Sequence, residues 1–304
     1  MQFRAKTAPI IWWIIFTVAF IQAKALADDQ IAPPSTNSLA GLDPRFGFFD
    51  GLDHRSAYYQ EAFPQPLLVD DTGLEQDGEV EFGELHTQAN GQQSDMVTAG
   101  VQKSFGLLTL ELGIPYERDS NAGDISQGVG NIAFGARYPL YQFVSAKGVF
   151  DDTFGVGVEA GIPVNSPVSR NTEINPKIFN DVMLGGHFSI QTVLGYSKLF
   201  GGGDDGGLQT FEYGLAFGYA IPNSALPLPG IQQFTPMFEL AGETGLNLDE
   251  AGQNSLLGSM GFRLDLKPIG GLESSLGLGF VFPVDSGANA EVHWGIATSL
   301  VVEF

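Results

Sequence analysis

The chain has 304 residues, with 35 Asp and Glu against 14 Lys and Arg, for a net charge of −21. That acidity excludes nucleic acid and anionic membrane surfaces as electrostatic partners. The lack of cysteine excludes a disulfide framework and a thiolate metal site.

Residues 1–27 carry Arg4 and Lys6, an apolar stretch from Ile10 to Ile21, and then Ala25-Leu26-Ala27. A charged start, an apolar middle and an A-x-A site form the plan of a secretory signal peptide, cleaved near Ala27. The apolar stretch is shorter than the roughly 20 residues a spanning helix needs. No later segment is apolar for long enough either, so membrane residence falls to strands. Residues 28–78 lack alternation and contain Pro33-Pro34, Pro64 and Pro66. They read as a periplasmic leader or as a plug folded into a barrel mouth, and the aromatic-rich stretch 48–63 suits a short amphipathic helix.

From residue 79 to 304 the chain breaks into segments of about ten residues with period-two alternation, the signature of a transmembrane barrel. The 40 Gly and 24 Phe fit many short strands with small residues on one face and aromatics on the other. Leu108, Leu110, Leu112, Ile114 and Tyr116 share a face, as do Ile132, Phe134, Ala136, Tyr138 and Leu140. The pattern predicts strands over 79–88, 95–104, 107–117, 129–141, 153–164, 177–185, 188–199, 209–221, 233–244, 254–266, 271–283 and 291–304. The fold class is thus all-β, a transmembrane antiparallel up-and-down β-barrel of about twelve strands. Odd-numbered links read polar and extracellular: Asn90–Ser94, Arg118–Gln127, Asn165–Pro176, Gly201–Leu208, Asn247–Gln253 and Asp285–Ala290. Even links are mostly short, although those around 142–152 and 222–232 are longer.

The last segment places Trp294, Ile296, Thr298, Leu300, Val302 and Phe304 on one apolar face. A strand ending on Phe resembles the assembly signal of bacterial outer-membrane barrels. That resemblance implies the Gram-negative outer membrane as location, and its lipid bilayer and barrel-assembly machinery as partners.

With the apolar rows facing lipid, the opposite rows form the lumen. They carry Glu111, Arg137, Glu159, Glu212, Glu239, Glu243, Arg263, Asp265 and Glu273, with Glu303 at the end. Charges belong inside, because on the lipid face they destabilise a barrel. Glu111, Arg137 and Glu159 suit a cross-strand ladder, and Arg263 suits a place between Glu239 and Glu273. Such a set either braces a narrow interior or makes an acidic constriction favouring cations or polar solutes.

Other chemistry finds little support. His187-Phe188-Ser189 has the His-x-Ser spacing of outer-membrane lipid hydrolases, but it continues Ile190-Gln191 where those enzymes have Asn-Gly. His54, His86 and His293 show no ligand spacing, so no metal or cofactor is expected. The run Gly201–Gly207, with Asp204 and Asp205, reads as a flexible loop.

One segment, Gly128-Val129-Gly130-Asn131-Ile132-Ala133-Phe134-Gly135-Ala136-Arg137-Tyr138, leads on to Phe154–Val164, which ends Ile162-Pro163-Val164. Together with Leu110-Glu111-Leu112-Gly113-Ile114-Pro115-Tyr116 before them, they resemble the MetA-pathway of phenol degradation family of outer-membrane transporters. The resemblance covers roughly residues 79–304. It implies a barrel of about twelve strands and passage of small aromatic or apolar solutes. The sequence therefore reads as a channel or facilitated-diffusion transporter for a small-molecule solute, and not as an enzyme. A closed structural or surface-interaction barrel is the alternative.

Overall fold

The computed structural model describes residues 63–70, 78–105, 107–121, 123–144, 150–201, 205–269 and 272–303. The expected signal peptide, most of segment 28–78 and Phe304 lie outside these residues. Fourteen strand segments are described: β1 (Gly78–Ala89), β2 (Gln92–Phe105), β3 (Leu108–Asn121), β4 (Asp124–Val129), β5 (Ile132–Val144), β6 (Phe150–Ile162) and β7 (Thr172–Leu184), followed by β8 (Phe188–Phe200), β9 (Gln209–Tyr219), β10 (Ile221–Pro222), β11 (Ile231–Gly245), β12 (Asn254–Ile269), β13 (Leu272–Pro283) and β14 (Trp294–Glu303). All pair antiparallel with their neighbours, and β1 pairs β14 from Glu79↔Glu303 to Gln88↔Trp294. The sheet therefore closes on itself. It is a barrel of twelve staves, because β4 with β5 and β9 with β10 are each one stave with a break. The breaks fall at Gly130, whose N–H bonds the Pro115 carbonyl, and at Ala220, whose N–H bonds the His187 carbonyl.

Closure lets the strands cross an apolar medium, since every ladder group finds a partner and no edge is left. The outer face is suited to that medium. Leu110, Ile114, Phe134, Val158, Ile178, Met260, Leu278 and Ile296 all project from it exposed. Aromatic side chains collect towards both ends of this wall. Tyr138, Tyr141, Phe154 and Tyr219 lie towards the rim where β1 begins (the terminal rim). Tyr196, Phe200, Phe211 and Trp294 lie towards the opposite rim (the loop rim). Such girdles mark the two interfaces of a bilayer. No helix among the described residues is long and apolar enough to cross a membrane.

Several boundaries differ from the sequence pattern, for physical reasons. Arg118–Gln127 is not a loop. β3 continues to Asn121 and pairs with β4 down to Asn121↔Asp124. Apart from Ile125 these residues are mostly polar on both faces, so backbone hydrogen bonds hold the ribbon without a continuous apolar face to reveal it. The link at residue 90 is likewise a tight hairpin. Asn90 and Gly91 take φ of 46° and 83°, as a type I′ turn requires, so β2 starts at Gln92. The last stave starts at Trp294 rather than residue 291. A short helix, α1 (Ser286–Glu291), precedes it, and the Asp285 carboxylate caps it by accepting the Ala288 N–H at 2.9 Å. In β7 Asn180 breaks the outer apolar row with a polar side chain, satisfied by donating to Asp152 at 2.6 Å. Pro139 sits at a bulge, after which Leu140 and Tyr141 are both exposed.

Among the charges that the described residues place on the outer face, Glu84 has no ion pair or side-chain hydrogen bond to offset its position, unlike Asp95 with Arg118 and Asp152 with Asn180. Glu84 stands exposed on the outer face, in register with Val97 and Thr298, two register positions below the outward pair of His86 and Ile296. A carboxylate there faces hydrocarbon at a cost. Glu84→Leu is expected to stabilise the barrel by about 1–2 kcal/mol, read as a higher urea midpoint for unfolding from lipid vesicles.

Candidate functional site: the barrel lumen

The inner face is built from the alternate residues of each stave, and the structure places all nine sequence-predicted lumen residues on it. Buried Arg137 forms an ion pair with Glu111 at 3.4 Å and donates to Gln102, which in turn donates to Glu79. Glu159 is not the third rung of that ladder. It pairs instead with Lys177 at 2.9 Å, a cation the sequence reading had not placed in the lumen. Glu212 accepts from the amide of Asn175. Asp265 is buried between Gln233 and Ser275. Glu273 stands in one row with Glu303 and Glu79 at the terminal rim. Glu243 faces the upper lumen and stays exposed.

Arg263 and Glu239 differ most from expectation. The ladder of Glu239, Arg263 and Glu273 is replaced by contacts to a different part of the chain. Arg263 donates to the hydroxyls of Ser275 at 2.7 Å and Ser299 at 3.0 Å, and its Nε donates to the Gln65 carbonyl at 3.0 Å. Glu239 is 1% exposed. Its Oε2 accepts the backbone N–H groups of Leu67, Leu68 and Val69 at 3.1, 2.8 and 3.0 Å. Three successive amides aimed at one carboxylate form an anion-binding nest, here supplied by the segment and filled by the wall.

Residues 63–70 thus run along the inner wall. Phe63 packs on Met183, and Gln191 donates to the Pro64 carbonyl at 2.6 Å. The Gln65 amide donates to Glu81 at 3.1 Å, Val69 packs on Val193 and Ala216, and Lys177 bridges Asp70 at 2.7 Å and Glu159. Inward glycines leave the room for this. A β-carbon at Gly218 would stand 2.8 Å from Pro64 Cγ, and one at Gly279 would stand 3.1 Å from Leu67 Cδ1. Gly214 and Gly277 are crowded in the same way by Val69 and Leu67. Between Asp70 and the loop rim lies a cavity of about 290 Å³, lined by Val69, Asp70, Val193, Glu212, Glu243 and Leu257 among others.

The remaining candidates sit elsewhere. Trp294, Ile296, Leu300 and Val302 lie on the outer face of β14, with the Trp294 ring 5.4 Å from that of His86. His86 is bound to Asp95 at 2.6 Å, beside Arg118. His187 lies in the turn before β8 and meets the Ala220 carbonyl at 3.0 Å, while Ser189 is buried in the inner wall. The two do not share a strand face, because β8 starts at Phe188. His54 and part of the Gly201–Gly207 run lie outside the described residues.

No family model matches the chain, and no curated protein matches its sequence. Among solved structures it is similar to the COG4313 outer membrane channel from Pseudomonas putida F1. The identity is 16% and the TM-score 0.51, over 74% of this chain and 94% of that one. The fold is that of an outer-membrane barrel. The NanC porin (7% identity, TM-score 0.44, 74% of this chain and 98% of that one) and the KdgM porin (14%, 0.41, 74% and 99%) are more distant matches.

Arg137 is the buried charge on which its corner of the wall depends. Arg137→Ala would leave Glu111 and Gln102 without their cation, a loss expected to cost about 2–3 kcal/mol because Glu111 keeps some water. Chemical unfolding of the folded barrel measures this directly, and Arg137→Lys is expected to recover part of it.

Proposed function

We propose that this protein is a passive outer-membrane channel for small solutes that favours cations. The supporting observation is the charge of the inner wall. Glu111, Glu159, Glu212, Glu239, Glu243, Asp265 and Glu273 face the lumen against Arg137, Lys177 and Arg263. Carboxylates around a narrow aqueous passage between low-dielectric walls concentrate cations and repel anions. Twelve staves enclose a bore between the filled eight-stranded barrels and the open porins, which suits small solutes rather than general exchange.

The likeness to an outer-membrane channel supports the transport reading and the outer-membrane location, with the bilayer as surroundings and the assembly machinery as the route of insertion. The resemblance of the glycine-rich strand motif to the MetA-pathway family supports extending the solutes to small aromatic or apolar compounds. The cavity beside Asp70 suits such a solute when it carries a positive charge, since Val193 and Leu257 offer apolar walls and Glu212 and Glu243 offer carboxylates. A closed structural barrel is favoured by one observation, the segment 63–70 inside the lumen.

Reversal potentials in a planar bilayer under a salt gradient test the channel. Discrete cation-selective steps are expected, and the double change Glu212→Gln with Glu243→Gln is expected to lower the cation-to-anion permeability ratio about twofold or more. Anion selectivity of the unaltered barrel would overturn the proposal. Protonated benzylamine is expected to reduce the current carried by a sodium salt, and this block is expected to weaken in the double variant.

A further inference from the structure

We infer that residues 63–70 are a releasable stopper, latched across the lumen by Glu239, and that their departure opens the pore. The inference rests on the channel reading above. The segment touches the wall at β1 through Glu79 and Glu81, at β7 through Met183 and Lys177, at β8 through Gln191, at β9 through Gly214 and Gly218, and at β11, β12 and β13 through Glu239, Arg263 and Gly279. It therefore touches seven of the twelve staves, on opposite sides of the sheet's closing seam between β14 and β1.

The manner of its attachment allows release. Pro64 and Pro66 have no N–H to give a ladder, and the segment does not add a strand to the sheet. Beside the side-chain contacts of Gln65 with Glu81 and of Asp70 with Lys177, it is held by side chains of the wall reaching its backbone. These are the Gln191 amide at Pro64, the Arg263 guanidinium at Gln65, and the Glu239 carboxylate at residues 67–69. Each of these bonds can be exchanged for water once the lumen is wet, and no barrel hydrogen bond breaks when the segment leaves. The apolar part is small: Phe63 on Met183, Leu67 over two glycines, and Val69 on Val193 and Ala216. Glu239 is the centre of the latch because it binds three consecutive residues of the segment.

A reversible crosslink tests this in the full chain. A β-carbon at position 279 would stand 4.0 Å from that of Leu67, within the range a disulfide spans, and the native chain has no cysteine to compete. The double variant Leu67→Cys with Gly279→Cys is made alone and together with Glu239→Ala, with Glu239→Gln as the milder change if alanine impairs folding. Gel mobility of the folded barrel checks insertion, and mass spectrometry checks the bond. Glu239→Ala is expected to raise the open probability of the full chain, and oxidation of the crosslinked variant to cut its conductance to about a tenth or less, restored by reductant. A disulfide that forms while leaving conductance the same in both redox states would overturn the stopper and leave the channel standing. Failure of the disulfide to form in a folded barrel would overturn the placement of the segment. Silence of Glu239→Ala and of the reduced variant alike would overturn the channel reading, and the stopper with it.

Discussion

The structure depends on the closing ladder between β1 and β14. Ten register pairs, from Glu79↔Glu303 to Gln88↔Trp294, join the first stave to the last. In an apolar medium an open sheet edge would strand a row of N–H and C=O groups, each unpaired group costing several kcal/mol. Once the ladder closes, each stave has one face towards lipid and one towards the lumen, and the period-two sequence follows from that geometry. The same closure creates a polar compartment in which buried Arg137 and Arg263 and partly buried Lys177 are tolerable, because each meets a carboxylate, a hydroxyl or a carbonyl.

Inside that compartment, side-chain size decides as much as charge. The glycines at 214, 218, 277 and 279 weaken their strands as isolated elements, since they bring no packing and lose more entropy on ordering. Their positions are those where Val69, Pro64 and Leu67 come closest to the wall. The wall is thus shaped to receive a second piece of chain, and its charges are set to bind that piece. Glu239 takes backbone amides, and Arg263 and Gln191 take backbone carbonyls. The grip is on the main chain at residues 64, 65 and 67–69, and the side chains of Gln65 and Asp70 add to it through Glu81 and Lys177.

Much of the barrel was legible because alternation is a direct image of a two-faced wall. Leu276, Leu278 and Phe280 lie exposed on the outer face, while Ser275, Gly277 and Gly279 line the inner one. Legibility failed where that image is absent. The ribbon of β3 and β4 beyond Tyr116 has no continuous apolar face and is held by backbone pairing, so Arg118–Gln127 looked like a loop. Glu84 broke the image in the other direction, with a charge on the lipid side of β1. In the lumen, parity placed every charged candidate on the inner face, yet it could not choose partners. Glu159 reaches the adjacent Lys177, and Arg263 turns to Ser275, Ser299 and a main-chain carbonyl.

What the sequence determined by itself was the alternating wall: the number of staves, their approximate limits, and an acidic interior. These follow from residue type and a period of two, both local properties of the chain. What only the tertiary structure decided was the content of that interior. Residues 63–70 and Glu239 are some 170 positions apart in the chain, and their bonds run from backbone amides to one carboxylate. Every non-proline residue carries such an amide, so nothing in the composition of the segment marks it as the ligand of that glutamate. Only closure of the barrel brings the two together and gives the inward glycines and Glu239 a common purpose.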